Sequence, residues 1–414
     1  MTTAKLQCIA CQQDFPLWEL RYECGCGGLL EVAHSVKGKS ELKDLVEQRL
    51  LSRKPWDRSG VWRFREAVVP LETSELVTHQ EGQTGLYDID TLQDWTGCPG
   101  LLLKHEGENP SGSFKDRGMT AAVSAAKKLG MNRLACASTG NTSSSLAAYA
   151  ARAGAQALVF LPAGKVSLGK MAQTLGYGAQ ALAIRGDFDD AMRIVRELAL
   201  AGEVYMVNSL NPFRIEGQKT IIWELLQDLE WNPPDWIVVP GGNLGNTSAF
   251  GKAIEEAYQW GWIKKKPRLA VIQASGANPF FTSFQAGFKN LVAMQAETIA
   301  TAIRIGNPVN YQRAKQAIER TQGLVAAVDD ASILAAKAAI DRAGVGCEPA
   351  SAATLAGLKE LIRSGVVCKT QRVVAILTGH MLKDTDAIFA SQTLQSHEVD
   401  ANATAIRSLL AALR

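Results

Sequence analysis

Lys115 is a candidate nucleophile because of where it stands, inside Glu106-Gly-Glu-Asn-Pro-Ser-Gly-Ser-Phe-Lys-Asp-Arg-Gly118. An apolar run, Leu101 to His105, precedes this stretch and reads as a buried strand; an Ala-rich run, Met119 to Lys128, follows it with helical propensity. Asn109-Pro110 and Ser111-Gly112-Ser113 are turn formers, and Ser113 is placed to cap the coming helix through its hydroxyl. A lysine in a first helical turn opposes the positive end of the macrodipole, which favours an anion nearby. Alone, it reads equally as a solvated surface charge. Two further stretches repeat the strand, loop, helix pattern. Ser138-Thr-Gly-Asn-Thr-Ser-Ser-Ser145 follows the strand-like Arg133 to Ala137 and opens a helix that ends near Gly154. Pro240-Gly-Gly-Asn-Leu-Gly-Asn-Thr247 follows Trp236 to Val239 and opens a helix that ends near Gly261. The second loop is an anion cradle, because its glycines let backbone amides approach a phosphate that also sits on a helix N-terminus. It lacks the Gly-Lys-Ser/Thr ending of a nucleoside triphosphate loop and the G-x-G-x-x-G of a dinucleotide loop, so neither ligand is indicated.

An amine, an Asn/Ser/Thr loop and a phosphate cradle are what pyridoxal phosphate requires: a partner for its aldehyde, a donor for its ring oxygen and an anchor for its phosphate. The ordered blocks Trp62-Arg-Phe-Arg65, Asn109 to Gly118, Ser138 to Thr142, Asn208 to Thr220, Gly241 to Asn246, Thr298 to Pro308, Glu348 to Ala352 and Leu377 to His380 carry a resemblance. On them the chain resembles the fold-type II pyridoxal phosphate enzymes and, within these, the threonine synthase family of the bacterial type. The resemblance implies a tryptophan synthase β-like α/β fold, with two doubly wound domains and the cofactor in the cleft between them. It implies that Lys115 binds the cofactor covalently and moves protons, and that Asn141 hydrogen-bonds the ring's phenolic oxygen. Gly242, Asn243, Leu244, Gly245 and Asn246 would hold the cofactor phosphate. Thr378 would face the pyridine nitrogen with a hydroxyl, which does not hold that nitrogen protonated.

Ser138, Thr139 and Thr142 are implied for the substrate carboxylate, and Asn208, Ser209 and Arg214 for a substrate phosphate, a guanidinium fork suiting that group. The implied substrate is O-phospho-L-homoserine, converted with water to L-threonine and phosphate by γ-elimination and addition of water at the β carbon. Lys219 contacts an anion or is a helix surface charge. Met381 stands where relatives usually have glycine and would be strained if its φ were positive. Two readings compete. Another fold-type II lyase, such as a serine or threonine dehydratase or an O-acetylserine sulfhydrylase, needs no site for a substrate phosphate; a non-catalytic pyridoxal phosphate-binding relative would not need Lys115.

Four of the eight cysteines are packed into the first 26 residues, as Cys8-Ile-Ala-Cys11 and Cys24-Gly-Cys26. Pairs at such spacing point both sulfurs at one centre, so they suggest the facing knuckles of a zinc ribbon. Four thiolates leave no open position on the metal, which makes its role structural; free or oxidised thiols are the alternative. Cys98, Cys136, Cys347 and Cys368 are dispersed and read as buried or inert thiols. A net charge of +3, 47% hydrophobic and 21% charged residues describe an ordinary globular chain and give no reason to expect nucleic acid or an anionic membrane as partner. No apolar run approaches the roughly 18 residues that span a bilayer. Met1 to Lys5 leads into Cys8 without the features of a targeting segment, so the expected location is cytoplasmic. The family implies a homodimer.

The elements that must position these residues alternate short apolar runs with amphipathic stretches. Strands are expected near 101–106, 133–138, 156–161, 180–185, 204–207, 236–240, 269–274 and 373–378, with a polar helix over 40–51. That alternation signals parallel sheets covered by crossover helices, with ligands beyond the carboxyl ends of the strands. The expected division is a zinc-ribbon-like segment at 1–35, a linker and the first part of the large domain at 36–104, a small mobile domain at 105–220 and the large domain at 221–414.

Overall fold

The computed structural model of the protein describes residues 3–164, 168–391 and 397–413. Thirteen strands occur among them: β1 Thr3–Cys8, β2 Asp14–Phe15, β3 Leu30–Ser35, β4 Leu86–Tyr87, β5 Leu101–His105, β6 Arg133–Ala137, β7 Gln156–Pro162, β8 Gln180–Ile184, β9 Tyr205–Met206, β10 Trp236–Pro240, β11 Arg268–Ala274, β12 Leu324–Val328 and β13 Val373–Leu377. They form three sheets. The first is an antiparallel β2-β1-β3 sheet at the N-terminus, the second a six-stranded sheet in the order β12-β11-β10-β13-β5-β4, and the third a four-stranded sheet in the order β8-β7-β6-β9. The two larger sheets are parallel except where β4 pairs antiparallel with β5.

Composition explains which strands are central. Every residue of β10 (Trp-Ile-Val-Val-Pro) and of β13 (Val-Val-Ala-Ile-Leu) is buried, as strands covered on both faces must be. β8 is an edge, and its Gln-Ala-Leu-Ala-Ile is mostly solvent-exposed. All eight runs expected as strands are strands, and the polar helix spans Lys39–Arg49. β12 was not foreseen, because Leu324-Val-Ala-Ala-Val328 runs into the Ala-rich helix Asp330–Arg342 and loses its boundary in the sequence. No helix among the described residues is long and apolar enough to cross a membrane.

Two helices bring the sheets together. The helix Pro212–Asp228 begins well, with Pro212 in its first turn and Asn211 accepting from Phe213 N at 3.0 Å. It crosses the helix Lys115–Lys128 so closely that a Cβ on Gly217 would lie 1.8 Å from the Arg117 carbonyl oxygen. Only glycine permits that approach. The N-terminal sheet is docked on the same Pro212–Asp228 helix through His34 Nε2 and Glu216 Oε2, 2.7 Å apart.

Of the two readings of Lys219, the surface charge is wrong and the anion contact stands: it is wholly buried, and the anions are protein carboxylates, Glu216 at 2.5 Å and Glu256 at 2.8 Å. Lys252 reaches Glu216 from the other side at 2.5 Å. Burial and the neighbouring Lys219 push His34 down to about 4, so the ring is neutral here. His34, Glu216 and Glu256 are close enough to hold a metal, but the two ammoniums already supply the positive charge.

Candidate active site

Lys115 is the first residue of its helix, and the loop before it is stitched to the end of β13. Ser113 bridges Gly379, Phe114 N donates to the Thr378 carbonyl at 2.9 Å, and His380 N donates to the Gly112 carbonyl at 2.9 Å. Ser113 does not cap the helix as expected. The capping position falls on Phe114, which makes no side-chain bond, and the Ser113 hydroxyl is buried without a partner, while the Ser113 backbone pairs with Gly379. Asp116 anchors the loop instead, accepting from Ser111 N at 2.6 Å, Ser111 Oγ at 2.5 Å and Ser145 Oγ at 2.6 Å. Burial pushes its carboxyl up to about 6 against these donors. The next residue, Arg117, is wholly buried between Glu106 at 2.7 Å and Glu224 at 2.8 Å, with Lys104 also on Glu224 at 2.9 Å. This network fixes the helix against β5 and so fixes the lysine.

Lys115 opens onto a cavity of about 450 Å³ that lies between the two larger sheets. Every expected cofactor and substrate residue lines it: Ser138, Thr139, Asn141, Thr142, Asn208, Ser209, Arg214, Gly242, Asn243, Leu244, Gly245, Asn246 and Thr378. Burial first, and then the Arg214 guanidinium, pull the Lys115 ammonium down to about 7, while Glu348 opposes them. Half of such amines are free at neutral pH, which a nucleophile needs. Asn141 opens the helix Asn141–Ala153, and its Nδ2 donates across the cavity to Glu348 Oε2 at 2.9 Å. The Thr378 hydroxyl lies 3.2 Å from the other oxygen of the same carboxylate. Leu244 takes φ 62°, the left-handed turn that starts the helix Gly245–Gln259 and points its free N–H groups at the cavity. A Cβ on Gly242 would come within 3.1 Å of the Ala302 carbonyl oxygen, so the backbone there passes close to its neighbour.

Arg214 is a buried cation without a carboxylate partner among the described residues. Its Nη1 donates to the Val207 carbonyl at 3.0 Å and its Nη2 to Gln218 Oε1 at 3.3 Å, while Nε is buried with no partner. Among the described residues no carboxylate pairs with it. Burial brings it down to about 10. A buried cation without a counter-charge is costly unless an anion arrives. Asn208, in contrast, bonds back to its own sheet: Oδ1 accepts from Ala137 N at 3.2 Å and Nδ2 donates to the Ala137 carbonyl at 3.0 Å.

Three cavity residues had no role assigned from sequence. Gln218 joins Arg214 to the glycine loop by donating to Asn246 Oδ1 at 2.7 Å. Lys383 donates to the Ser111 carbonyl at 2.9 Å, to Ser144 Oγ at 3.0 Å and to Gln173 Oε1 at 2.6 Å, tying the lysine loop to two helices. Glu348 is the third. Its neighbours Pro349 to Ala352 carried part of the resemblance, but nothing in their spacing tells that the carboxyl reaches Asn141. Met381 is not strained: its φ is outside the left-handed region, it begins a short 3-10 turn, and its Sδ fills the space beside Gly346.

These features fit pyridoxal phosphate. The chain offers a buried amine of low basicity, a helix N-terminus for a phosphate, and Asn141 and Thr378 facing the same space.

At the N-terminus, Cys8, Cys11, Cys24 and Cys26 place their sulfurs within 4.8 Å of one another, with Cys8 to Cys26 at 3.6 Å and Cys11 to Cys24 at 3.5 Å. Sulfurs on one tetrahedral zinc are about 3.8 Å apart, from a Zn–S bond of about 2.3 Å. Burial would raise the Cys8 thiol, but N–H groups of the Cys8–Cys11 turn outweigh it and bring the thiol down to about 7. Cys98, Cys136 and Cys347 are buried as expected, whereas Cys368 is exposed, being in the turn after Val367.

The family model described as pyridoxal-phosphate dependent enzyme matches residues 77–379. A threonine synthase of Methanocaldococcus jannaschii is 45% identical over 399 residues, covering 96% of this chain and 97% of that protein. A threonine synthase of Methanosarcina acetivorans is 45% identical over 408 residues, 98% of each. Among solved structures, threonine synthase from Escherichia coli superposes with a TM-score of 0.69 at 17% identity, covering 99% of this chain and 100% of that one.

Proposed function

The chain belongs to the pyridoxal-phosphate dependent enzyme family and, within it, to the threonine synthases, and on that premise we propose that it converts O-phospho-L-homoserine and water into L-threonine and phosphate in the cavity at Lys115. The observation that carries this reading is the second anion site. The glycine loop is suited to the cofactor phosphate, and the uncompensated Arg214 guanidinium in the same cavity is suited to another phosphate, which a dehydratase substrate lacks.

When bound, pyridoxal phosphate supplies an electron sink that acidifies the substrate's Cα–H and Cβ–H. The protein's own residues do the rest. Gly242, Asn243, Leu244, Gly245 and Asn246 grip the cofactor phosphate, with Asn141 and Thr378 orienting the ring. Ser138, Thr139 and Thr142 hold the substrate carboxylate at the N-terminus of the Asn141 helix. Arg214, with Ser209 and the remaining N–H of Asn208, holds the leaving phosphate. Lys115 Nζ, close to half-neutral at pH 7, accepts and returns protons. Residues 105–220 form the smaller body, which closes on the rest; Lys383, reaching Ser144 and Gln173, is the contact that closure would tighten. The four N-terminal thiols hold a structural zinc, and the protein works as a cytoplasmic homodimer, the latter testable by light scattering.

Incubation of the holoenzyme with O-phospho-L-homoserine should release inorganic phosphate and L-threonine in equal amounts, and Lys115→Ala should lose both this activity and the visible absorption band of the bound cofactor. Turnover of serine or threonine to an oxo acid without phosphate release would put a dehydratase in its place.

A further inference from the structure

Glu348 touches both groups that would orient the cofactor ring, one from each of the larger sheets. Asn141 Nδ2 donates to its Oε2 at 2.9 Å, and Thr378 Oγ1 lies 3.2 Å from its Oε1. The protons around Thr378 limit what this carboxyl can do. Ser351 Oγ accepts from Thr378 N at 2.8 Å and from Gly379 N at 3.1 Å, which fills both of its lone pairs. Its own proton must therefore go to Thr378 Oγ1, 2.9 Å away. The Thr378 hydroxyl, already accepting from Ser351, has one proton to give and one lone pair left. It can give the proton to Glu348 and offer the lone pair to the cavity, or accept from a protonated Glu348 and give its proton to the cavity. On the Glu348 side, Oε2 faces an N–H and accepts from it, which favours a carboxyl proton on Oε1, the oxygen that faces Thr378.

We propose that Glu348 is a positioning residue that shares one proton with the cofactor's ring nitrogen through the Thr378 hydroxyl. In one arrangement Glu348 Oε1–H donates to Thr378, which donates to a bare nitrogen. In the other, Glu348 has passed its proton to Thr378 Oγ1, Thr378 has passed its own to the nitrogen, and the carboxylate accepts from Thr378; no proton is gained or lost. Asn141 is oriented by the same carboxylate: with one N–H of its amide held by Oε2, the other is left for the ring's phenolic oxygen. The hydroxyl at position 378, which by itself cannot keep the nitrogen protonated, has a carboxyl behind it.

The surroundings favour the protonated form of this carboxyl. Burial raises Glu348 above the ordinary carboxylate range, against the donors Asn141 and Thr378 and the ammoniums of Lys383 and Lys115. Those two lysines and the buried thiol of Cys347 are the titratable groups that face it. Burial and Glu348 itself both disfavour the charged form of that thiol.

The inference rests on the cofactor reading above, and the test separates the two. Holoenzyme loaded with pyridoxal phosphate carrying heavy nitrogen in its ring reports by NMR whether that nitrogen bears a proton. The wild-type signal should lie between the bare and protonated limits at neutral pH. Glu348→Gln, whose amide can donate to Thr378 but cannot release a proton, should move it to the bare limit while the visible band and the melting temperature are kept. Thr378→Val, which deletes the relaying oxygen, should give the bare limit as well, and it decides the matter if Glu348→Gln takes up no cofactor. A wild-type signal at the bare limit from about pH 6 to about pH 9, or a variant signal equal to the wild-type one, overturns the inference. A wild-type protein that takes up no pyridoxal phosphate overturns the reading beneath it.

Discussion

Arg117 and Arg214 are equally buried, yet one is surrounded by carboxylates and the other by none. Arg117 lies between Glu106 and Glu224, and these anions outweigh burial and raise its guanidinium above its ordinary value. Arg214, on the helix crossing the one that carries Arg117, has only a backbone carbonyl and an amide, and burial lowers it. The same contrast separates Lys219, paired with Glu216 and Glu256, from Lys115, which has Glu348 only at longer range. Paired cations hold elements together. Unpaired ones that face the cavity, Arg214 and Lys115, favour a ligand that brings the missing charge.

Breaking a pair should affect folding most. Arg117→Met leaves Glu106 and Glu224 buried without their main counter-ion, and the urea midpoint should fall by an amount equivalent to about 3–5 kcal/mol. Arg214→Met orphans no carboxylate, so its urea midpoint should stay or rise, while kcat/KM for the phosphorylated substrate falls about 100-fold, or about 2.7 kcal/mol. Similar stability losses in both variants would erase the distinction.

Lys115 should also respond to pH. Burial and Arg214 bring Lys115 to about 7, so the rate at which apo-protein captures pyridoxal phosphate, read by stopped-flow absorbance, should climb with pH to about 7 and then level as the amine becomes neutral. Because the unfolded lysine titrates near about 10.4, the unfolded chain binds more protons between these values, and apo-protein stability should rise with pH across that window. The smallest effect belongs to the N-terminal thiols. A chelator that strips the zinc proposed for them should lower the melting temperature by about one degree, about 1 kcal/mol, and leave the cofactor band intact, since they lie apart from the cavity.

Much of the site was legible in the chain because its parts are local. Asn141 and the Gly242 to Asn246 loop each follow a strand and open a helix within one short stretch, so propensity and turn chemistry place them without reference to the rest. Lys115 was read the same way, and its helix start was right, but the cap was not. Ser113 pairs with Gly379, more than two hundred positions away, a backbone contact the local sequence does not announce, and its hydroxyl caps nothing. β12 was lost for a local reason, an apolar strand running into an apolar helix with no turn signal between them.

The sequence by itself determined the strand, loop and helix units, the amine, the anion cradle and, through ordered blocks, the family. Tertiary structure alone decided which charges are answered. Glu348 meets Asn141 from 207 positions away, and Lys219 meets Glu256 across two helices. A side chain's charge is written in the chain, but its energy depends on what burial removes and what the neighbours return, and those neighbours come from distant elements that only folding brings together.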